Sequence, residues 1–168
     1  MTLDERKKFV ADHMLGRLAR WLRILGYDTL YPEPGPDKEL IELAAGEGRL
    51  LLTRDKQVAE TKKAETLYLE SDDIDEQLIQ VAKELDLELK PDLVENDDGT
   101  LVNRCGICNG ILRSIPEEVA APLVPPGVRQ YRQDYWQCSG CNKIYWEGTH
   151  WDQISARLLE IKRKLDEA

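Results

Sequence analysis

The stretch RLLLTRD at residues 49–55 says more about the fold than any other part of the sequence. Its almost unbroken apolar run is typical of a strand that is buried on both faces of a parallel sheet. The run KFVA at residues 8–11 has the same character, and Asp12 follows it directly, just as Asp55 follows the first run after Arg54. Two buried strands that each lead to an acidic residue predict an α/β sheet with carboxylates at one edge.

Helical patterns alternate with these strands. Apolar residues recur at helical spacing from Met14 to Leu25, and Gly26 follows as the predicted helix stop. The other predicted elements are strands at 27–31 and 66–69 and helices at 37–45, after Asp55 and after Ser71. We expect Ser71 to cap the last of these helices. This alternation indicates a parallel sheet flanked by helices, in a first domain over residues 1–95.

Acidic residues follow several of the predicted strands. In parallel α/β sheets, functional groups gather beyond the carboxyl ends of the strands. The candidates there are Asp12, Asp37, Asp55 and Asp73, with Asp72 as a substitute for the last. Clustered carboxylates bind hard cations such as Mg²⁺, which can activate water beside a phosphodiester. The alternative is structural, because an acid in the first turn of a helix is also favoured by the helix dipole.

The four cysteines form two pairs, and an asparagine follows each pair. The pairs are Cys105-Gly-Ile-Cys108 and Cys138-Ser-Gly-Cys141. Two C-x-x-C pairs predict a closed tetrahedral Zn²⁺ site, which is structural because it leaves no open position for substrate. Asparagine tolerates the positive φ that such a tight turn requires. Two disulfides or a redox pair are the alternatives, although a redox site needs only one C-x-x-C near a βαβ unit.

Residues 101–168 are predicted to form a small zinc ribbon followed by an amphipathic helix that docks on its own protein. Strands are expected near 101–103, 110–114, 135–137 and 143–146, and an ordered irregular loop at 116–127. A module of this size needs a metal to fold. Its aromatic residues are Tyr131, Tyr135, Trp136, Tyr145, Trp146 and Trp151. They could stack on unpaired bases or fill a small core.

The formal net charge of −9 at pH 7 is unevenly distributed. Residues 31–100 hold 20 acidic and 8 basic residues, whereas residues 1–26 hold three acidic and six basic residues. This excess of acidic residues argues against nonspecific electrostatic binding of nucleic acid over the whole surface, but it is compatible with local basic surfaces. The sequence has no secretory segment and no apolar run of membrane-spanning length, so we expect a cytoplasmic protein with no membrane partner. In the cytoplasm the cysteine thiols would stay reduced and free to bind metal.

Three segments resemble the signatures of one family, the RNase domain named after the C-terminal part of the Mut-seven exonuclease. They are residues 12–28, the LLTRD segment that ends at Asp55, and the cysteine ribbon with YWEGTHW at residues 145–151. The resemblance covers about residues 9–155 and implies a PIN-like nuclease domain fused to a zinc ribbon. It implies metal-dependent RNA cleavage with Asp12 and Asp55 as catalytic acids. Asp37 matches an acid of related PIN-like domains, the fourth acid is Asp73 or Asp72, and His13 receives no role.

Arginines lie close to the proposed acidic site. Arg17, Arg20 and Arg23 recur every three residues opposite the apolar stripe of the first helix, and Arg54 adjoins Asp55. Because the guanidinium fork binds phosphate oxygens in pairs, these residues are candidate contacts to the RNA backbone. The alternative is an ordinary solvated helix face.

The predicted activity is hydrolysis of phosphodiester bonds in RNA, with structured RNA as the expected partner. Carboxylate-bound Mg²⁺ or Mn²⁺ would activate the water, and Zn²⁺ would be structural. One rival is a non-catalytic RNA- or protein-binding module with the same fold. A second rival is a receiver-like α/β domain that handles phosphate, against which the ribbon argues.

Overall fold

The computed structural model describes residues 7–90, 92–128 and 134–167. The strands are β1 Phe9–Ala11, β2 Thr29–Leu30, β3 Leu50–Thr53, β4 Thr66–Tyr68, β5 Thr100–Arg104, β6 Ile111–Ile115, β7 Tyr135–Cys138 and β8 Ile144–Tyr145. The α-helices are α1 Gly16–Ile24, α2 Asp37–Glu47, α3 Lys56–Ala59, α4 Ile74–Leu85, α5 Glu117–Ala120 and α6 Thr149–Glu167. Two 3-10 turns cover His13–Leu15 and Ala121–Leu123.

The first four strands form a parallel sheet in the order β2-β1-β3-β4. Alternate side chains of the central strand β1 enter different cores, as strand geometry requires. Phe9 and Ala11 pack with helices α1, α4 and α6, whereas Val10 packs with α2 and α3. Every residue of β1 is buried. The predicted α/β sheet with helices on both faces is therefore confirmed.

Helix α1 follows β1 through a 3-10 turn. Asp12 caps that turn, and Gly26 ends the helix region with φ 95°, as the sequence predicts for a C′ glycine. Two expectations for this segment are wrong. Met14, predicted to face the core, is 53% exposed because it belongs to the 3-10 turn rather than to the α-helix. Arg23, predicted to lie on the solvent face, is only 8% exposed.

Helices α4 and α6 pack against each other at one side of the sheet. The N-cap of α4 is Asp73, which accepts a hydrogen bond from the Glu76 amide at 3.0 Å, so the expectation that Ser71 is the cap is wrong. Ser71 instead accepts from the Asp73 amide at 3.0 Å. Leu158 and Ile161 of α6 are fully buried in the core of the α/β domain. The final helix therefore docks on its own protein, as predicted, but by packing it belongs to the first domain.

Strands β5 to β8 form an antiparallel sheet in chain order, with bounds close to the predicted ones. The asparagine after each cysteine pair has a positive φ, 70° for Asn109 and 65° for Asn142, as expected for a tight sulfur-binding turn. The proline-rich insert is more regular than predicted, because it contains α5 and a 3-10 turn. Tyr131 lies outside the described residues.

The half-buried Asp28 and the buried Arg23 join the sheet to the ribbon. Asp28 accepts two hydrogen bonds from Arg49, at 2.8 and 3.2 Å, and one from Asn109 Nδ2 at 2.7 Å. Asn109 Oδ1 in turn accepts from the Thr29 amide of β2 at 3.0 Å. Burial raises the pKa of the Asp28 carboxyl, but the hydrogen bonds from Arg49 and Asn109 outweigh burial and hold that pKa below its usual range.

Arg23 crosses the same junction from helix α1. Its Nη1 donates to the carbonyl oxygens of Gly106 and Ile107, at 3.1 and 3.2 Å, and its Nε donates to Thr29 O at 2.8 Å. Both carbonyls belong to the turn between Cys105 and Cys108. A buried arginine thus ties α1 and β2 to the first cysteine pair.

Candidate functional site

Asp12 lies at the carboxyl end of β1, in the centre of the parallel sheet, and is only 2% exposed. Its Oδ2 accepts a hydrogen bond from Thr53 Oγ1 at 2.8 Å. Its Oδ1 accepts from the His13 amide at 2.7 Å and lies 2.8 Å from His13 Nδ1. These contacts fix the orientation of the carboxylate without placing an arginine or lysine against it.

Thr53 connects the two acids that follow the buried strands. Its hydroxyl donates to Asp12 and accepts from the Asp55 amide at 3.0 Å. The half-buried Asp55 caps the short helix α3, because its Oδ1 accepts from the amides of Gln57 and Val58 at 2.8 and 3.3 Å. Asp12 and Asp55 thus lie at one edge of the sheet, and Asp55 also has a clear structural role.

A cavity of about 180 Å³ opens beside Asp12. Glu33 and Glu39 line it together with Asp12 and His13, and a proline-rich loop forms its other wall. Sequence reasoning missed both glutamates as site residues. Glu39 had a usable signal, since it lies in the first turn of α2, two residues after the predicted acid Asp37.

The remaining predicted acids are exposed and lie at helix starts. Asp37 is the first residue of α2, and Asp73 caps α4. Of the described residues that line the cavity beside Asp12, none is Asp37, Asp55 or Asp73. The structure therefore brings Asp12 together with Glu33 and Glu39 around one cavity, and it leaves Asp37 and Asp73 at the surface.

The acids do not form a closed cage. Within residues 7–90, 92–128 and 134–167, the four cysteines alone form a group of three or more metal-ligating side chains whose ligand atoms all lie within 4.8 Å of one another. Mg²⁺ is nevertheless usually held by one or two carboxylates, several waters and substrate phosphate rather than by a full protein cage. The oxygen donors around the cavity at Asp12 fit such an ion.

The cysteine cluster has the dimensions of a tetrahedral metal site. The Sγ atoms of Cys105 and Cys141 are 3.7 Å apart, and those of Cys108 and Cys138 are 3.3 Å apart. A tetrahedron with Zn–S bonds of about 2.3 Å has edges of about 3.8 Å. All four cysteines are free, and each of these contacts joins one cysteine pair to the other. The arrangement is consistent with the predicted Cys₄ zinc ribbon.

Tyr145 and the backbone prepare Cys105 for metal binding. Burial raises the pKa of the Cys105 thiol, but hydrogen bonds from the Tyr145 hydroxyl, at 2.9 Å, and from the amides of Cys108 and Ile107 outweigh burial and lower that pKa to about 7. A lower pKa favours the thiolate, which is the form that binds metal. Burial raises the pKa of Tyr145 above its usual value, which keeps its hydroxyl protonated as a donor.

A family model described as the Mut7-C RNAse domain matches residues 7–158, which is nearly the whole chain. The chain belongs to this family. No curated protein and no solved structure matches the chain. Membership in the Mut7-C RNAse domain family indicates a nuclease-type function with RNA as the substrate class.

The arginines of this Mut7-C domain differ in their surroundings. Arg17 and Arg20 are exposed on α1, as predicted. Arg54 is half-buried and its Nε donates to Leu69 O at 3.4 Å, which fixes it beside the end of β4. Arg23 donates its hydrogen bonds to backbone carbonyl oxygens at the junction with the ribbon, so it is not a phosphate contact as predicted. Arg17 and Arg20 are exposed and Arg54 is half-buried, so these three arginines still have surface that a phosphate could contact.

No helix in the described parts of the Mut7-C chain has the length and apolar character needed to span a bilayer.

Proposed function

We propose that the chain is a metal-dependent ribonuclease that hydrolyses phosphodiester bonds in structured RNA, with its catalytic centre at the carboxyl edge of the parallel sheet. The observation that carries the proposal is Asp12. Its buried carboxylate is held by Thr53 and His13 at the end of the central strand and faces a cavity with two further carboxylates. Membership in an RNase domain family supports the same reaction class.

Asp12 and Asp55 are the proposed principal ligands of a catalytic Mg²⁺ or Mn²⁺, because Thr53 links them. Such an ion supplies an activated water and neutralises charge on the phosphate. Thr53 and His13 hold the Asp12 carboxylate in one orientation. Asp37 and Asp73 are the further predicted acids, and Glu39 competes with Asp37 for the role on α2 because it lines the cavity. Arg17, Arg20 and Arg54 are the proposed phosphate contacts.

The test is cleavage of a labelled, structured RNA at saturating Mg²⁺ by the Asp12→Asn variant. Asn keeps the size of the side chain and removes its charge. The rate should fall more than about 100-fold, since even indirect partners of metal ligands cost about 10–100-fold. Asp55→Asn should act in the same direction, and the double variant should lose less than the product of the two effects, because both residues serve one site.

Asp97→Asn is the matched control, because Asp97 is exposed in a turn between the two domains and lies at neither site. Comparing Asp37→Asn with Glu39→Gln identifies which acid of α2 acts. Normal cleavage by Asp12→Asn would refute the catalytic assignment and favour the rival, a non-catalytic RNA-binding module with this fold.

A further inference from the structure

A second cavity, of about 390 Å³, lies where helix α1, the zinc ribbon and the start of α6 meet. It is the larger of the two cavities described, and it is separate from the one at Asp12 because the two share no lining residue. Its volume falls within the range of about 300–1,000 Å³ that is typical of small-molecule sites. None of the proposed catalytic acids lines it, although Arg20, one of the proposed phosphate contacts, does.

The charge of this second cavity is opposite to that of the chain. The chain carries 32 acidic residues and a net charge of −9, yet no Asp or Glu is among the described residues that line the cavity. Arg20, Arg104 and Lys143 do line it. Arg104 is engaged with Asn109 O at 2.8 Å. Within the described parts of the chain, Arg20 and Lys143 form no ion pair, so both are available to an anion.

The walls of the cavity are aromatic. Tyr145, Trp146 and Trp151 line it. Tyr145 and Trp146 also pack against the cores of the ribbon, but all three residues are only half-buried, so part of each side chain stays exposed. Lys143 Nζ lies over the Tyr145 ring, 5.1 Å from its centre, which places a cation against the aromatic wall. An apolar aromatic wall with cations beside it suits a flat, neutral ring that is linked to an anionic group, which is the chemistry of a nucleotide with its base and phosphate.

We propose that this cavity binds one unpaired nucleotide of the RNA substrate, with the base stacked on the aromatic wall and the adjoining phosphate held by Arg20 and Lys143. The inference rests on the proposed ribonuclease function and adds a substrate subsite to it. Under this proposal the zinc ribbon binds unpaired RNA, because the ribbon supplies most of the residues that line the cavity.

Helix α1 sets the distance between the subsite and the catalytic edge. At about 2.0 Å per residue through the 3-10 turn and about 1.5 Å per residue along the α-helix, Arg20 lies roughly 14 Å further along the chain axis than Asp12. A strand that reaches from the subsite to the proposed catalytic edge therefore spans a few nucleotides, and cleavage should fall a few nucleotides from the captured base.

The first test uses the unmodified, zinc-loaded chain and a labelled single-stranded RNA, without added Mg²⁺ so that the strand stays intact. An abasic nucleotide is moved along the RNA, and affinity is measured by fluorescence anisotropy. One position should weaken binding by about five- to 150-fold, the range for loss of one base–aromatic stack. Unchanged affinity at every position, or no binding of unpaired RNA at all, would overturn the inference.

The second test uses variants of the wall. Trp151→Ala should weaken binding to intact RNA by the same factor but not to the RNA with the critical abasic position, whereas Trp151→Phe should keep most of the affinity. Lys143→Ala should lower the salt slope of binding by about 0.7, the value for one phosphate contact on a single strand. Lys162→Ala, an exposed lysine of α6 away from the cavity, is the matched control and should leave the slope unchanged.

Two further results separate the alternatives. A free mononucleotide that binds as tightly as the RNA would overturn the assignment to a strand and indicate a small-molecule site. Asp12→Asn should bind RNA like the unmodified chain while failing to cleave it. If Asp12→Asn cleaves normally while Trp151→Ala still weakens binding, the proposed catalytic site is wrong and the nucleotide subsite stands.

Discussion

Replacing Asp28 by Asn should weaken the whole molecule, because Asp28 is the shared acceptor at the junction of sheet and ribbon. The change removes a charge but little volume. Arg49 then keeps its guanidinium in a site where its side chain is only 8% exposed, without the carboxylate that received two of its hydrogen bonds. In the variant an NH₂ group replaces one of the two carboxylate oxygens. This donor would face another donor, either the Arg49 guanidinium or the side-chain amide of Asn109.

The expected loss is about 2–4 kcal/mol of unfolding free energy. Removing one partner of a fully buried ion pair costs about 3–5 kcal/mol. The loss expected here is somewhat smaller, because the Asp28 side chain is 18% exposed and the pair is therefore not fully buried. For a domain of this length, each kcal/mol lowers the melting temperature by about 2–4 °C. Asp28→Asn should therefore melt about 5–15 °C below the unmodified chain.

The assay is thermal unfolding followed by circular dichroism, with Asp97→Asn as the control for a lost surface acid. The pKa of Asp28 is lower in the folded state than in the unfolded chain, so its stabilisation is present above the ordinary carboxyl pKa of about 3.9. It is lost as the pH falls through the folded-state pKa. The difference between variant and parent should be constant from pH 5 to 8 and shrink below about pH 4. A shift no larger than that of Asp97→Asn would refute the reasoning.

Two further predictions concern the cysteine cluster. The purified chain should hold about one equivalent of Zn²⁺ by elemental analysis. Cys105→Ser should release the metal and lower the melting temperature. A disulfide between the cysteines would exclude the zinc site. Gly110→Ala should destabilise the ribbon, because the added Cβ would lie 2.5 Å from Cys138 Sγ. Gly46→Ala, in helix α2 with open space at its Cβ, should instead raise stability by about 0.4–1 kcal/mol, and two equal shifts would contradict this account.

The strands and cysteine turns were predictable because their signals are local. A run such as residues 50–53 is apolar on both faces, and only a strand covered on both sides accommodates it. The positive φ at Asn109 follows equally well from a turn that wraps sulfur. The N-cap of α4 was harder to predict, since Ser71 and Asp73 both suit a cap and the geometry selects Asp73.

The composition of the proposed catalytic edge depends on side chains that meet only after folding. The position of Asp12 at this edge was predictable, since Asp12 directly follows a buried strand, although its carboxylate also caps the 3-10 turn. Glu33 was not, because its place beside Asp12 depends on the path of a loop rather than on any periodic pattern. The burial of Arg23 was equally hidden, since its partners are carbonyls of Gly106 and Ile107, which lie more than 80 residues away in the chain.

The same long-range contacts change how the two domains are understood. A division at about residue 95 would leave Arg23 and Asp28 without their partners at the ribbon, and it would remove Leu158 and Ile161 from the core of the sheet domain. Buried polar groups that lose their partners cost about 1–3 kcal/mol each, more when they are charged. The ribbon is therefore coupled to the carboxyl edge of the parallel sheet through helix α1, which contacts the first cysteine turn through Arg23 and begins one turn after Asp12. Zinc bound at the ribbon should stabilise the helix that also follows Asp12, the proposed catalytic acid.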